Sequence, residues 1–188
     1  MALEIERRFL VAGEGWRPLV RWSARLRQGY LVAGGDGLTL RVRLRQGSSP
    51  GRAEGAWLTL KALPPGGADA LSRLEFEYPI PPADGEALLA LTDRQLTKWR
   101  HGLDLPGGDW VLDVFEGANA PLVVAEVELE SADQPLEVPS WCVRELSGRH
   151  ELSNAALSVR PLSQWSEAEH RSLFEGPSGS LGPSPLRA

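Results

Sequence analysis

The residues in this chain that could do chemistry are carboxylates and guanidinium groups, and they recur at every second position. Glu4, Glu6 and Arg8 share one parity, against Leu3, Ile5, Phe9 and Val11 on the other. Arg41, Arg43 and Arg45 alternate with Leu40, Val42 and Leu44, and Arg73, Glu75 and Glu77 with Leu74, Phe76 and Tyr78. Glu126, Glu128 and Glu130 alternate with Ala125, Val127 and Leu129; Lys98 and Arg100 flank Trp99, and Lys61 and Asp113 each sit between apolar neighbours. Successive strand residues point to opposite sides of a sheet, so each set shares one face. The planar fork of arginine suits phosphate oxygens. Carboxylate oxygens suit hard divalent cations such as Mg²⁺ or Mn²⁺, which commonly take one or two carboxylates together with substrate phosphates.

A half-exposed antiparallel sheet also alternates apolar and polar residues, with its charges in water. For any single strand that reading is the better one. Two features count against it for the whole chain. Solvated faces usually mix residue types, whereas one face here is all arginine and another all glutamate. The pattern also recurs in most of the strand-like segments. Turning the charged face inward would line a tunnel with cations on some walls and carboxylates on others. Such a lining is costly to bury without compensation by water, a polyanion and hard cations.

The elements that must position these residues follow from the same periodicity. Strands are expected over Leu3–Val11, Leu26–Val32, Leu38–Gln46, Ala56–Leu63, Ser72–Tyr78, Thr97–Leu103, Trp110–Phe115 and Leu122–Glu130. About eight strands with short connections predict an α+β, mainly β fold: an eight-stranded antiparallel closed β-barrel. Helices are expected near Asp84–Leu91, where Ala87, Leu88 and Leu91 form an apolar stripe, and from a Ser163 cap to Phe174, both packed outside the barrel. Gly47–Gly55, Pro64–Gly67 and Pro106–Asp109 read as turns. One domain over 1–175 is expected, with a Gly/Ser/Pro tail at 176–188 that reads as disordered.

The totals narrow the classes. The net charge of −5 argues against general nucleic-acid binding. The single cysteine, Cys142, excludes an intramolecular disulfide and reads as a small buried hydrophobe. Nothing at the N-terminus resembles a signal peptide or membrane span, so a cytoplasmic protein without membrane partners is expected. Lys61 and Lys98 are the only lysines; codon bias toward arginine explains that, so placement rather than number is informative. His101, His150 and His170 lack ligand spacing.

Glu4-Ile5-Glu6-Arg7-Arg8 resembles the N-terminal E-x-E-x-K signature of the CYTH superfamily, the triphosphate tunnel metalloenzymes, with Arg8 in place of the usual lysine. The similarity continues in order through Arg27-Gln28-Gly29-Tyr30, Leu40–Arg43, Leu58–Lys61, Ser72–Glu77, Lys98–Arg100, Leu112–Phe115 and Glu126–Glu128, over roughly residues 1–162. The ordered set is far more specific than any one segment. The resemblance implies a barrel with a polar tunnel. It implies phosphate contacts from Arg8, Arg41, Arg43, Lys61, Arg73, Lys98 and Arg100. Metal or water positions fall to Glu4, Glu6, Glu75, Glu77, Asp113, Glu126 and Glu128, and a catalytic set to Glu4, Glu6, Lys61, Glu126 and Glu128. Where the family has an arginine-tyrosine pair, this chain has Arg149-His150-Glu151-Leu152, so Arg149 is a further candidate phosphate contact through a shift of register.

The expected reaction is metal-dependent hydrolysis of a triphosphate, foremost inorganic tripolyphosphate to pyrophosphate and phosphate. Alternatives are adenylate cyclase, a thiamine or nucleoside triphosphatase, or a non-catalytic polyphosphate or nucleotide sensor. The expected partner is a small polyanion, bound by a monomer or homodimer.

Overall fold

The computed structural model describes residues 2–33, 38–47, 54–63, 73–131 and 133–176. Most of the expected Gly47–Gly55 loop, all of the Pro64–Gly67 turn, and the tail after Gly176 lie outside the described residues. The strands are β1 (Ala2–Glu4), β2 (Glu6–Val11), β3 (Val20–Ala33), β4 (Thr39–Gly47), β5 (Gly55–Ala62), β6 (Arg73–Ile80), β7 (Gln95–Leu103), β8 (Asp109–Phe115), β9 (Val123–Glu128) and β10 (Cys142–Glu145). The helices are α1 (Pro82–Leu89), α2 (Asn154–Val159) and α3 (Glu167–Phe174).

All ten strands form one antiparallel sheet in the order β1-β6-β5-β4-β3-β7-β8-β9-β2-β10. Counting β1 and β2 as one strand interrupted at Ile5 gives nine. This corrects the expectation of an eight-stranded closed barrel. β2 pairs with β9 along one edge and with β10 along the other, so neither of its edges is left for β6. Only the three residues of β1 reach β6. The short strand β10, which period-2 reading did not single out, takes the edge that closure would have needed.

The apolar parity packs as expected over most of the sheet. Phe9, Val11, Trp110, Leu112, Ala125 and Val127 form one core with Cys142 of β10 and with Trp16 and Leu129 from the flanking loops. Val42, Leu44 and Ala56 form another with Leu89 of α1. That helix starts at proline, whose fixed φ suits a first turn.

The C-terminal helices depart from expectation. Leu10, Leu96, Phe115 and Val124 have the parity of the charged residues, yet they pack with Leu146, Leu152, Leu157, Leu162 and Leu173 in a third core. The chain from β10 onward therefore covers one end of the charged face instead of packing on the outside. The cap also moves: Leu162–Gln164 is a 3₁₀ turn, and Ser166 rather than Ser163 begins α3, in a reciprocal capping box with Glu169. Arg144 fixes the far end of α3 by donating to the carbonyls of Ser172 and Leu173, and to that of Gly176.

Candidate active site

β4 supplies the arginine ladder. Its register places Arg41 opposite Tyr30 and Thr59, Arg43 opposite Gln28 and Trp57, and Arg45 opposite Leu26 and Gly55. The wall from β3 is thus mostly uncharged, while Arg25 and Arg27 turn outward to Glu116 and Glu86. Across the space stand β2 and β9, with Glu6 opposite Glu128 and Arg8 opposite Glu126. Asp109 of β8 is the other neighbour of Glu128, so Glu6, Glu128 and Asp109 form one row.

Two cavities meet on this face. The smaller, about 250 Å³, is bordered by Arg8, Tyr30, Arg41, Thr59, Lys61 and Glu75 among others, and by the 147–155 segment with Arg149 and His150. The larger, about 620 Å³, is bordered by Arg21, Trp22, Arg45, Trp57, Asp109 and Glu128 among others. Glu6, Arg43, Arg100 and Glu126 border both. The charged side chains therefore converge on two adjoining, partly open cavities although the sheet is not hydrogen-bonded into a ring. At the wide end, the Trp22 indole lies across Gly102; a Cβ there would fall 2.0 Å from its Nε1.

Three cations and two carboxylates make a buried network. Arg100 donates through Nε to Asp113 Oδ1 (2.7 Å) and through Nη2 to Asp113 Oδ2 (2.7 Å) and Glu126 Oε2 (2.6 Å). Lys98 Nζ donates to Asp113 Oδ2 (2.5 Å) and Asn154 Oδ1 (3.1 Å). Arg8 donates through Nε to Glu126 Oε1 (3.2 Å) and through Nη2 to the Leu152 carbonyl (3.1 Å). Burial alone would push both carboxyls up, but Arg100 and Lys98 hold Asp113 far below the usual carboxylate range and Glu126 below it. Burial pulls the Lys98 ammonium down to about 8 against the opposing attraction of Asp113. Burial would also lower the Arg100 guanidinium, yet Asp113 and Glu126 raise it.

A second set surrounds the ladder. Arg43 Nη2 reaches both oxygens of Glu77 (2.9 and 2.8 Å), and Thr59 Oγ1 donates to Glu77 Oε2 (2.8 Å). Lys61 Nζ lies 3.2 Å from Glu75 Oε2. Burial, and then the neighbouring charge of Arg41, lower the Arg43 guanidinium to about 10. Arg41 Nη2 donates to Thr59 Oγ1 (3.1 Å), whereas its Nε is buried with no hydrogen-bond partner. A buried guanidinium N–H without a partner is uncommon, because its desolvation is uncompensated.

The structure thus brings together Glu6, Arg8, Arg41, Arg43, Lys61, Glu75, Arg100, Glu126 and Glu128, with Glu77 at the ladder's edge. Arg149 borders the narrow cavity and is also paired with Glu151. Lys98 and Asp113 lie on the expected face but are wholly enclosed, and Asp113 has both oxygens taken by Lys98 and Arg100. Only the backbone of Glu4 and Arg73 is described; they are register partners. Among the described residues no three His, Cys, Asp or Glu side chains are grouped closely enough to hold a metal ion alone. Glu6, Glu126 and Glu128 nonetheless give hard oxygen donors on one wall, which fits a cation completed by phosphate oxygens. Sequence reading missed Tyr30, Thr59, Asp109 and Asn154. Thr59 shares parity with Lys61 and Asp109 with Asp113, so both could have been found that way; Tyr30 lies on a strand with no assigned residue and Asn154 at a helix start, where parity gives no signal.

Of the residues given no role, Cys142 and His101 lie in packed surroundings, whereas His150 borders the smaller cavity. Burial raises the Cys142 thiol to about 12. His101 accepts or shares a hydrogen bond with Ser23 (2.7 Å) and tilts against Trp16. No helix among the described residues is long and apolar enough to cross a membrane.

The profile of the CYTH domain matches residues 2–159. An inorganic triphosphatase of Acetivibrio thermocellus is 31% identical over 89% of this chain and 100% of its own length. An inorganic triphosphatase of Nitrosomonas europaea is 38% identical over 83% of this chain and 97% of its own. The crystal structure of the inorganic triphosphatase NE1496 superposes with a TM-score of 0.57 at 34% identity, covering 85% of this chain and 96% of that one. The PH1012 protein of Pyrococcus horikoshii superposes with a TM-score of 0.50 at 18% identity, covering 68% and 79%, a likeness of fold alone.

Proposed function

Because this chain belongs to the CYTH domain family, we propose that it hydrolyses inorganic tripolyphosphate to pyrophosphate and phosphate with the help of a divalent cation. The observation that supports this most directly is the convergence of Glu6, Arg43, Arg100 and Glu126, which border both cavities. Cationic and carboxylate side chains border the same space, which is what a polyanion bound together with a metal requires.

In this reading Arg8, Arg41, Arg43, Lys61, Arg100 and Arg149 hold phosphoryl oxygens, and Arg73 of β6 is a further candidate. Tyr30 and Thr59 fix the ladder laterally. Glu6, Glu126 and Glu128, with Glu4 two residues before Glu6, would hold Mg²⁺ or Mn²⁺. When bound, such an ion supplies charge neutralisation at the phosphoryl oxygens and polarises water. The protein's own contribution is positioning. It holds the phosphoryl groups in line with an attacking water, so that one P–O–P bond is exchanged for a P–OH on each product. Lys98 and Asp113 support this arrangement from behind Arg100, where neither can reach a ligand in the cavities.

The test is a panel of tripolyphosphate, pyrophosphate, ATP and thiamine triphosphate with Mg²⁺ or Mn²⁺, assayed for phosphate and for cyclic nucleotide. Phosphate release that is fastest from tripolyphosphate is expected. Cyclic AMP without phosphate release would replace this reading with a cyclase, and tight binding without turnover would replace it with a sensor.

A further inference from the structure

Asn154 is the first residue of α2, and its local setting gives it no structural task there. The N-cap is Ser153, whose hydroxyl accepts from the Ala156 N–H at 3.1 Å. Asparagine is a poor helix former in a helix body. Its amide oxygen instead accepts from Lys98 Nζ, 3.1 Å away. Lys98 is fully buried, and the surroundings of its ammonium are Asp113 Oδ2, Asn154 Oδ1 and the Phe115 ring, whose centroid lies 5.2 Å off. Asp113 in turn orients Arg100, which grips Glu126. A continuous chain of polar contacts therefore runs from the start of α2 to the carboxylate where the two cavities meet.

We propose that Asn154 is a positioning residue: through Lys98 and Asp113 it fixes the orientation of Arg100 and Glu126, and so tunes turnover rather than substrate affinity. The inference rests on the triphosphatase reading for its kinetic consequence but not for its geometry. The neighbouring wall is tied down separately, since Arg8 bonds the Leu152 carbonyl and Ser147 Oγ accepts from the Arg8 N–H. Losing Asn154 should therefore loosen the Lys98 strut without releasing the whole 147–155 segment.

The chain has only two lysines, which makes a direct measurement possible. In protein labelled with ¹⁵N-lysine, a buried, doubly hydrogen-bonded Lys98 ammonium should give a slowly exchanging ¹H–¹⁵N resonance that survives Lys61→Arg. Asn154→Leu should shift or broaden that resonance, and Asn154→Asp, which keeps an acceptor, should preserve it. On tripolyphosphate, Asn154→Leu should lower kcat about tenfold with KM changed less than twofold. The same substitution on a Lys98→Met background should add little, because the two residues act in series. An unshifted Lys98 resonance in Asn154→Leu, or full additivity of the two substitutions, would overturn the inference. If Asn154→Leu does not fold, Asn154→Ser, too short to reach Lys98, is read in the same way. A wild-type protein inactive on tripolyphosphate would remove the functional reading alone, since the resonance still decides the strut.

Discussion

Replacing Asp113 by asparagine tests the buried network most sharply. In the folded protein, Arg8, Lys98 and Arg100 face Asp113 and Glu126, three cations against two anions. Asp113 is fully buried and accepts from Lys98 Nζ and from two nitrogens of Arg100. Asparagine keeps the shape but leaves three cations against one anion and turns an N–H₂ toward donors. Removing one partner of a buried ion pair costs about 3–5 kcal/mol. For a chain of this length that corresponds to a fall in Tm of roughly 6–20 °C. Thermal and urea unfolding measure it directly. A Lys98→Met/Asp113→Asn double variant restores the original charge excess, so it should be more stable than Asp113→Asn alone. The pH dependence gives an independent check. Burial pushes the Asp113 and Glu126 carboxyls up, but Arg100 and Lys98 hold both below their unfolded values. Their stabilisation is complete above the unfolded pKa of about 4 and is lost as pH falls through the lower folded values. Asp113→Asn should therefore flatten the acid limb of stability. A variant within about 1 kcal/mol of wild type, with an unchanged acid limb, would refute the charge-paired network.

Other outcomes follow from the same geometry. Glu126→Gln and Glu128→Gln should each reduce metal-dependent phosphate release by one to three orders of magnitude, read in a colorimetric phosphate assay; full activity in both would dismiss the carboxylate wall as the metal site. Arg41→Ala should raise KM for tripolyphosphate more than it lowers kcat, and raising ionic strength should weaken the wild type toward it. Gly102→Ala should displace the Trp22 indole, costing about 1–3 kcal/mol and altering tryptophan fluorescence; an unchanged spectrum and Tm would contradict the close contact. Ser166→Ala should cost about 1 kcal/mol through the lost cap of α3, measured by urea unfolding, with kcat unaffected.

How much was legible in advance depended on which physical rule governed each residue. The identity of the charged face was legible because side chains alternate along any strand, whatever its partners. Arg41, Arg43 and Arg45 had to share a side, as did Glu126 and Glu128, and their apolar neighbours had to face the other way. The ordered signature segments then supplied the fold family. Tertiary structure alone decided what happens at the edges and ends. Strand pairing depends on which backbone donors compete for an edge, and β10 wins the edge of β2, leaving the sheet unclosed. Parity cannot say whether Leu10, Leu96, Phe115 and Val124 meet a ligand or a helix; the C-terminal segment reaches them and seals that end. The same enclosure turns Lys98 and Asp113 from apparent ligand contacts into a buried strut, because register brings Arg100 and Asn154 within hydrogen-bond reach of them. Alternation is a local property of the backbone and can be read from the chain. Register, edge capture and burial are set by residues far apart in sequence, and only folding brings those together.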